Sequence, residues 1–224
     1  MVSVPKPLPC DGHMTTMQPR QPAPTPSQVV VVRHGESEWN VLGKWQGRAD
    51  TALTAAGRQQ ALDAGSHIAA TGMMIDRIVA STLRRASDTA AIIAEYLGLA
   101  DPVLDDRLVE TDVGPWEGLR ESEIEQGWPN FLRERRTPPN FEPPDAVFAR
   151  ATSAIRELGA GSRHVLVISH SGVIRTVRRA MRVPDRRLHN LEGCFFGVDS
   201  RGALVAGDFV ALASGTSRPT NDSV

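Results

Sequence analysis

Four consecutive valines, Val29 to Val32, run without a polar interruption into Arg33-His34-Gly35-Glu36. A short β-branched run that does not alternate predicts a strand buried on both faces, the kind found inside parallel sheets covered by helices. A second run, Val165-Leu166-Val167-Ile168, ends in the same manner at Ser169-His170-Ser171-Gly172. Two such strands restrict the chain to α/β architectures, because each face needs a helical layer over it. Open parallel sheets bind ligands at the carboxyl ends of their strands, so His34 and His170 are expected along one edge of one sheet. Arg33 is a permanent cation with a planar fork of donors, and Gly35 lets the backbone turn closely beside a ligand. That strand end suits an oxyanion.

Helical and extended patterns alternate along the rest of the chain. Thr54 is the expected cap of a helix reaching about Ala70, with Ala61, Leu62, Gly65 and Ile68 inward. Ile78-Val79-Ala80 predicts a strand. It leads to a helix capped by Ser81 or Thr82, burying Leu83, Ala86, Ala90, Ile93 and Leu97 and stopping at Gly98. Pro102-Val103-Leu104 reads as a short edge strand, and Leu119 to Pro144 as irregular helical pieces broken by prolines. Asp145 is the expected cap of a helix that buries Val147, Ala151, Ile155 and Leu158. Ser171 is the expected cap of one that buries Val173, Ile174, Val177 and Met181. Cys194 to Val198 and Ala203 to Val210 predict an antiparallel hairpin at the sheet edge. The expected fold is a three-layer α/β/α sandwich with a mostly parallel central sheet.

The chain has 224 residues, enough for one sizeable core, and a formal net charge of -1, which gives no reason to expect nucleic acid or an anionic membrane. No apolar stretch approaches the roughly 18 residues a membrane span needs. Two cysteines, Cys10 and Cys194, form no disulfide framework, so a cytoplasmic setting is expected. Residues 1–28 hold seven prolines and few large apolar groups, which predicts a disordered lead; the tail from 213 to 224 is expected to be flexible. The folded domain is expected over 29–212.

Arg33-His34-Gly35-Glu36, Trp39-Asn40, Gly43, Trp45-Gln46-Gly47, Leu53-Thr54 and Gly57 together resemble the opening signature of the histidine phosphatase superfamily, the phosphoglycerate-mutase-like enzymes. Ser81-Thr82-Leu83-Arg84-Arg85-Ala86, the loop Leu108 to Gly118, and Ser169-His170-Ser171-Gly172 match later family segments in order. The resemblance implies that His34 is a nucleophile accepting a phosphoryl group, that His170 is a second catalytic imidazole, and that Glu110 is the proton donor. It implies that Arg33, Asn40 and Arg85 bind the phosphate, with Gln46 a further substrate contact. Arg85 rather than Arg84 falls in the family register. It implies no metal and no other cofactor.

Elementary chemistry agrees with these roles. Imidazole attacks phosphorus well near neutral pH when its other nitrogen is held, and an alkoxide leaves only with a proton. Asp112 and Glu117 compete with Glu110 for the acid, and Trp39, Trp45 and Trp116 are either loop packing or pocket wall. Mutases of this family carry a histidine-tyrosine pair soon after the carboxylate, where this chain has Thr111-Asp112-Val113. The expected activity is therefore hydrolysis of a small phosphomonoester through phosphohistidine, by a metal-independent enzyme of the histidine acid phosphatase type. Mutase activity and a catalytically silent phospho-ligand binding module are the alternatives.

Overall fold

The computed structural model describes residues 28–161 and 163–213. All but one residue of the expected lead, and all but one of the expected tail, lie outside the described residues. In chain order the elements are β1 (Val29–Arg33), α1 (Glu38–Val41), α2 (Ala55–Thr71), β2 (Arg77–Ala80), α3 (Arg84–Leu97), β3 (Val103–Leu104), α4 (Glu121–Gly127), α5 (Pro144–Gly159), β4 (Val165–Ser169), α6 (Ser171–Ala180), β5 (Glu192–Val198) and β6 (Leu204–Ala211). Short 3-10 turns stand at Asp106–Leu108 and Gly114–Trp116.

The strands form one mixed sheet in the order β3-β2-β4-β1-β5-β6. β3, β2, β4 and β1 are parallel, while β5 and β6 close the β1 side as an antiparallel hairpin. Alternate side chains of the valine run serve opposite cores. Val29 and Val31 pack with Val165 and Val167 beneath α5 and α6; Val30 and Val32 pack with Leu166 and Ile168 beneath α2 and α3. A strand buried on both faces has no polar side to display, which is why the run does not alternate. The three-layer α/β/α sandwich is the fold observed.

Thr54 caps α2 as expected, accepting from Gly57 N–H at 2.9 Å, and Gly98 ends α3 in the left-handed region at φ 65°. Other caps differ from expectation. α3 begins at Arg84 with Leu83 as its N-cap and no side-chain cap of its own. Ser81 is bonded to His170, Thr82 to Asp106, and the Arg84 N–H is taken instead by Asp50 at 2.7 Å. Asp145 lies inside the first turn of α5, which starts on Pro144, a residue suited to that turn because it lacks the N–H that would go unpaired. Ser171 lies inside α6, with His170 at the N-cap. Leu62 is 40% exposed, and the buried stripe of α2 runs through Ala61, Ala64, Gly65 and Ile68 instead.

The hairpin sits tight against β1. Gly193 pairs with Val32, and a Cβ on Gly193 would overlap the Val31 carbonyl, whereas one on Gly197 in the same strand would meet nothing within 4 Å. Gly193→Ala should therefore lower stability by about 1–3 kcal/mol or more, the range for overpacked interiors. Gly197→Ala should stay within about 0.5 kcal/mol of the parent. Urea denaturation of both variants measures the difference; equal stabilities would mean that β5 does not approach β1 this closely.

Candidate active site

The parallel register pairs Arg33 with Ser169, so the next residue of each strand is a histidine and the two imidazoles become neighbours. Their ring centroids are 5.2 Å apart, and both rings are buried. His34 Nδ1 lies 2.6 Å from the Gly35 carbonyl oxygen, and Nε2 receives the Arg85 Nε–H at 3.2 Å. Only the tautomer with its proton on Nδ1 satisfies both bonds, which leaves the lone pair on Nε2. Burial, followed by the charges of Arg85 and Arg33, holds the His34 pKa well below the usual 6.5 against the opposing effect of the Gly35 bond. His170 is likewise held down, by burial first and then by Arg85 and His34.

His170 Nε2 is 2.8 Å from Ser81 Oγ, which also accepts the Leu83 N–H at 3.3 Å. A hydroxyl has one proton and two lone pairs, so Ser81 can serve either tautomer of His170; where it donates to Nε2, Nδ1 carries the N–H. That Nδ1 and the Nδ2 of Asn40 are buried polar atoms with no hydrogen-bond partner among the described residues. Buried polar atoms of this kind suit a ligand that pairs with them, because leaving them unpaired is costly.

Arg33 and Arg85 are both fully buried. Arg33 donates to the Leu188 carbonyl at 2.7 Å, and Arg85 donates to the carbonyls of Ala49 at 2.6 Å and Gly47 at 2.9 Å. Arg84 is exposed, with its side chain outside the site. Asn40 forms a capping box with Ser37 at the start of α1, which fixes its amide. Gln46 accepts from Ser37 at 2.8 Å and from Thr51 at 2.6 Å.

Glu110 is 6% exposed and its carboxylate accepts from the backbone N–H groups of Thr111 at 2.7 Å and Gly172 at 3.2 Å. A Cβ on Gly172 would overlap Glu110 Oε1, so the first turn of α6 must be bare there for the carboxylate to sit against it. Asp112 instead closes its own loop through the Gly114 N–H at 2.9 Å, and the exposed Glu117 binds the Arg48 N–H at 2.9 Å. Of the three carboxylates, Glu110 alone lines the adjoining cavity of about 400 Å³. Trp45 and Gln46 line it too. Trp116 is fully buried packing between Trp45 and Phe141, and Trp39 lies under Lys44, its ring centroid 5.4 Å from Nζ.

Sequence reasoning missed two residues that hold this arrangement. Asn190 Nδ2 donates to the His34 carbonyl at 2.9 Å and to Asn40 Oδ1 at 3.2 Å. Arg150 bonds the carbonyls of Val109 and Glu110 and the carboxylate of Glu142, bracing the loop that carries Glu110. Each acts on segments 40 or more positions away in the chain, so no local pattern marks it. His67 is exposed, and His164 and His189 are half-buried.

Among the described residues no group of three His, Cys, Asp or Glu side chains is placed to hold a metal ion, and no helix is long and apolar enough to cross a membrane. The family model for the histidine phosphatase superfamily (branch 1) matches residues 29–194. A probable phosphoglycerate mutase, GpmB of Salmonella choleraesuis, is 37% identical over 180 residues, covering 75% of this chain and 81% of that protein. The glucosyl-3-phosphoglycerate phosphatase of Mycobacterium tuberculosis is 32% identical over 169 residues, covering 69% of this chain and 74% of that protein. A mycobacterial glucosyl-3-phosphoglycerate phosphatase solved with VO3 superposes with a TM-score of 0.72 at 27% identity, over 83% of this chain and 99% of that one. The family model spans most of the chain and solved members share its fold, so the chain belongs to the histidine phosphatase superfamily.

Proposed function

We propose that residues 29–212 hydrolyse phosphate monoesters by transferring the phosphoryl group to His34 Nε2 and from there to water. The observation that carries this is the tautomer of His34, with Nδ1–H on the Gly35 carbonyl and the lone pair on Nε2 beneath Arg85. On arrival of a phosphate, Arg85 exchanges the Gly47 and Ala49 carbonyls for phosphoryl oxygens and uncovers that lone pair. The Nε2–P bond then forms as the P–O bond to the organic group breaks, and Glu110 supplies the proton to the departing oxygen. In the second step water attacks phosphorus, Glu110 takes its proton, and the Nε2–P bond breaks. His170 Nδ1–H, the Asn40 amide, Arg33 and Arg85 donate to the three phosphoryl oxygens, whose charge grows at the transition state.

Hydrolysis is favoured over mutase activity by Thr111-Asp112-Val113, which stand where the family's mutases carry a histidine-tyrosine pair; Asp112 here is spent on the Gly114 N–H. A silent binding module has no use for a carboxylate held beside the site, since an anion repels the phosphate it would bind. A cytoplasmic enzyme acting on a small metabolite fits this chemistry.

Brief exposure to ³²P-labelled substrate, quenched without acid, should leave label on the protein that is stable in base and lost in acid, and His34→Ala should abolish it. Label persisting in that variant would reassign the nucleophile.

Glu110→Gln keeps the shape and removes the transferable proton. The burst with alkyl phosphates should slow on the order of 10²–10⁴-fold, the usual range for general acid catalysis, and far less with p-nitrophenyl phosphate, whose leaving group needs little help. Equal slowing would show that Glu110 acts through structure or charge.

Both imidazoles are neutral in the folded protein and have pKa values below those of the unfolded chain, so the unfolded state binds more protons as pH falls past 6.5. Without phosphate, their contribution to stability should be complete above pH 6.5 and decline below it by about 1.4 kcal/mol per pH unit for each histidine, until the folded pKa is reached. Urea denaturation between pH 7 and pH 5 measures this slope, which should flatten in a His34→Gln/His170→Gln double variant.

A further inference from the structure

We propose that the cavity beside Glu110 takes an uncharged, extended apolar group as the organic part of the phosphate ligand, and disfavours small acidic groups such as glycerate. This rests on the reading that Glu110 marks the leaving-group side of the reaction.

Size is the first support. A cavity of about 400 Å³ falls in the range that holds drug-sized ligands, and a three-carbon acid would leave most of it unfilled. The second support is the wall. Trp45, Val113, Phe141 and Val147 line the cavity. Trp45 and Phe141 are each set edge-on against the buried Trp116, at centroid distances of 5.2 and 5.7 Å, so the apolar surface is held in place before any ligand arrives. Trp45, Val113 and Val147 are buried, while the half-buried Phe141 and the exposed Pro144 and Ala180 of the lining leave apolar surface that gains free energy when a ligand covers it; an ionic group there gives up hydration without a partner.

Charge is the third support. The lining carries two arginines, Arg135 and Arg179, and three carboxylates, Glu110, Glu142 and Asp145. Arg179 is bonded to Asp185 at 2.9 Å, and Glu142 is bonded to Arg150 at 2.8 Å. Arg135 is exposed, where water and salt screen its charge. Asp145 is exposed as well, so a second anion on the ligand would find no desolvated cation set to receive it. A neutral chain pays no such cost.

The test uses phosphonates, which keep the anion and cannot be hydrolysed. Binding of n-alkylphosphonates from ethyl to octyl to the full chain, measured by titration calorimetry, should tighten about fourfold per methylene until the cavity is filled. 3-Phosphonopropionate, which puts a carboxylate at the end of a chain of similar length, should bind more weakly than n-propylphosphonate. Phe141→Ala should shrink the octyl-to-ethyl affinity ratio; since both affinities come from the same preparation, a partly unfolded sample does not imitate the effect. A flat alkyl series, or tighter binding of the carboxylated probe, overturns the proposal. Turnover of the matching alkyl phosphates is measured separately. A steep phosphonate series without hydrolysis supports the cavity's selectivity and sinks the hydrolase reading alone.

Discussion

The structure depends on the parallel pairing of β1 with β4. Both strands are apolar on both faces, so polarity alone does not set which residue stands opposite which. The ends do: Val165 N–H donates to the Gln28 carbonyl at 2.9 Å where the pairing begins, and His34 N–H donates to the Ser169 carbonyl at 3.0 Å where it stops. A slip of one residue would exchange the two faces of a strand and the cores they fill. It would also carry one imidazole a full residue past the other. Packing and site geometry are thus fixed by the same hydrogen-bond ladder.

What was legible in the sequence followed from short-range pattern. The valine run, the second apolar strand and the histidines at their ends need only the rule that uninterrupted β-branched residues build a doubly covered strand, and the hairpin needed only its turn residues. What was not legible came from distant partners. Ser81 was free to cap α3 on local grounds, but His170, from a strand end 89 positions on, holds its hydroxyl, and Asp50 supplies the cap from the loop after β1. Asn190 and Arg150 carried no signal, because an asparagine in a loop and an arginine on a helix are ordinary until the fold brings a carbonyl to them. Leu62 misled for a simpler reason: it lies one residue from a true inward position, and a turn of about 100° per residue carries it to the rim. The three candidate acids were left open by spacing and are told apart only by what each carboxylate already bonds.

The site brings buried cations beside buried imidazoles, and the consequence is electrostatic. Two arginines and low polarity around His34 and His170 keep both rings neutral, so the lone pair on His34 Nε2 that the proposed mechanism uses comes at no cost in protonation. The same arginines oppose an approaching cation and welcome a dianion. The loop after β1 contributes Asn40, Gln46 and the carbonyls that hold Arg85, while the segment before β5 holds Arg33 and His34 from behind through Leu188 and Asn190. Asn40 is held by its capping box and by Asn190 before any phosphate enters, so in the proposed reaction the main rearrangement left is the exchange of the Gly47 and Ala49 carbonyls for phosphoryl oxygens by Arg85.

The guanidinium of Arg85 on His34 Nε2 has one more effect. Paired buried imidazoles are what zinc and nickel seek in a protein, and alkylating reagents seek any unprotonated ring nitrogen. Here Gly35 engages one nitrogen of the ring and a permanent cation stands on the other. A metal ion meets like charge there, and a neutral electrophile meets a lone pair already in use. If His34 is the nucleophile, as proposed, only a ligand with enough negative charge to draw Arg85 away would expose the nitrogen, and the residue that guards it would be the one that binds the phosphate.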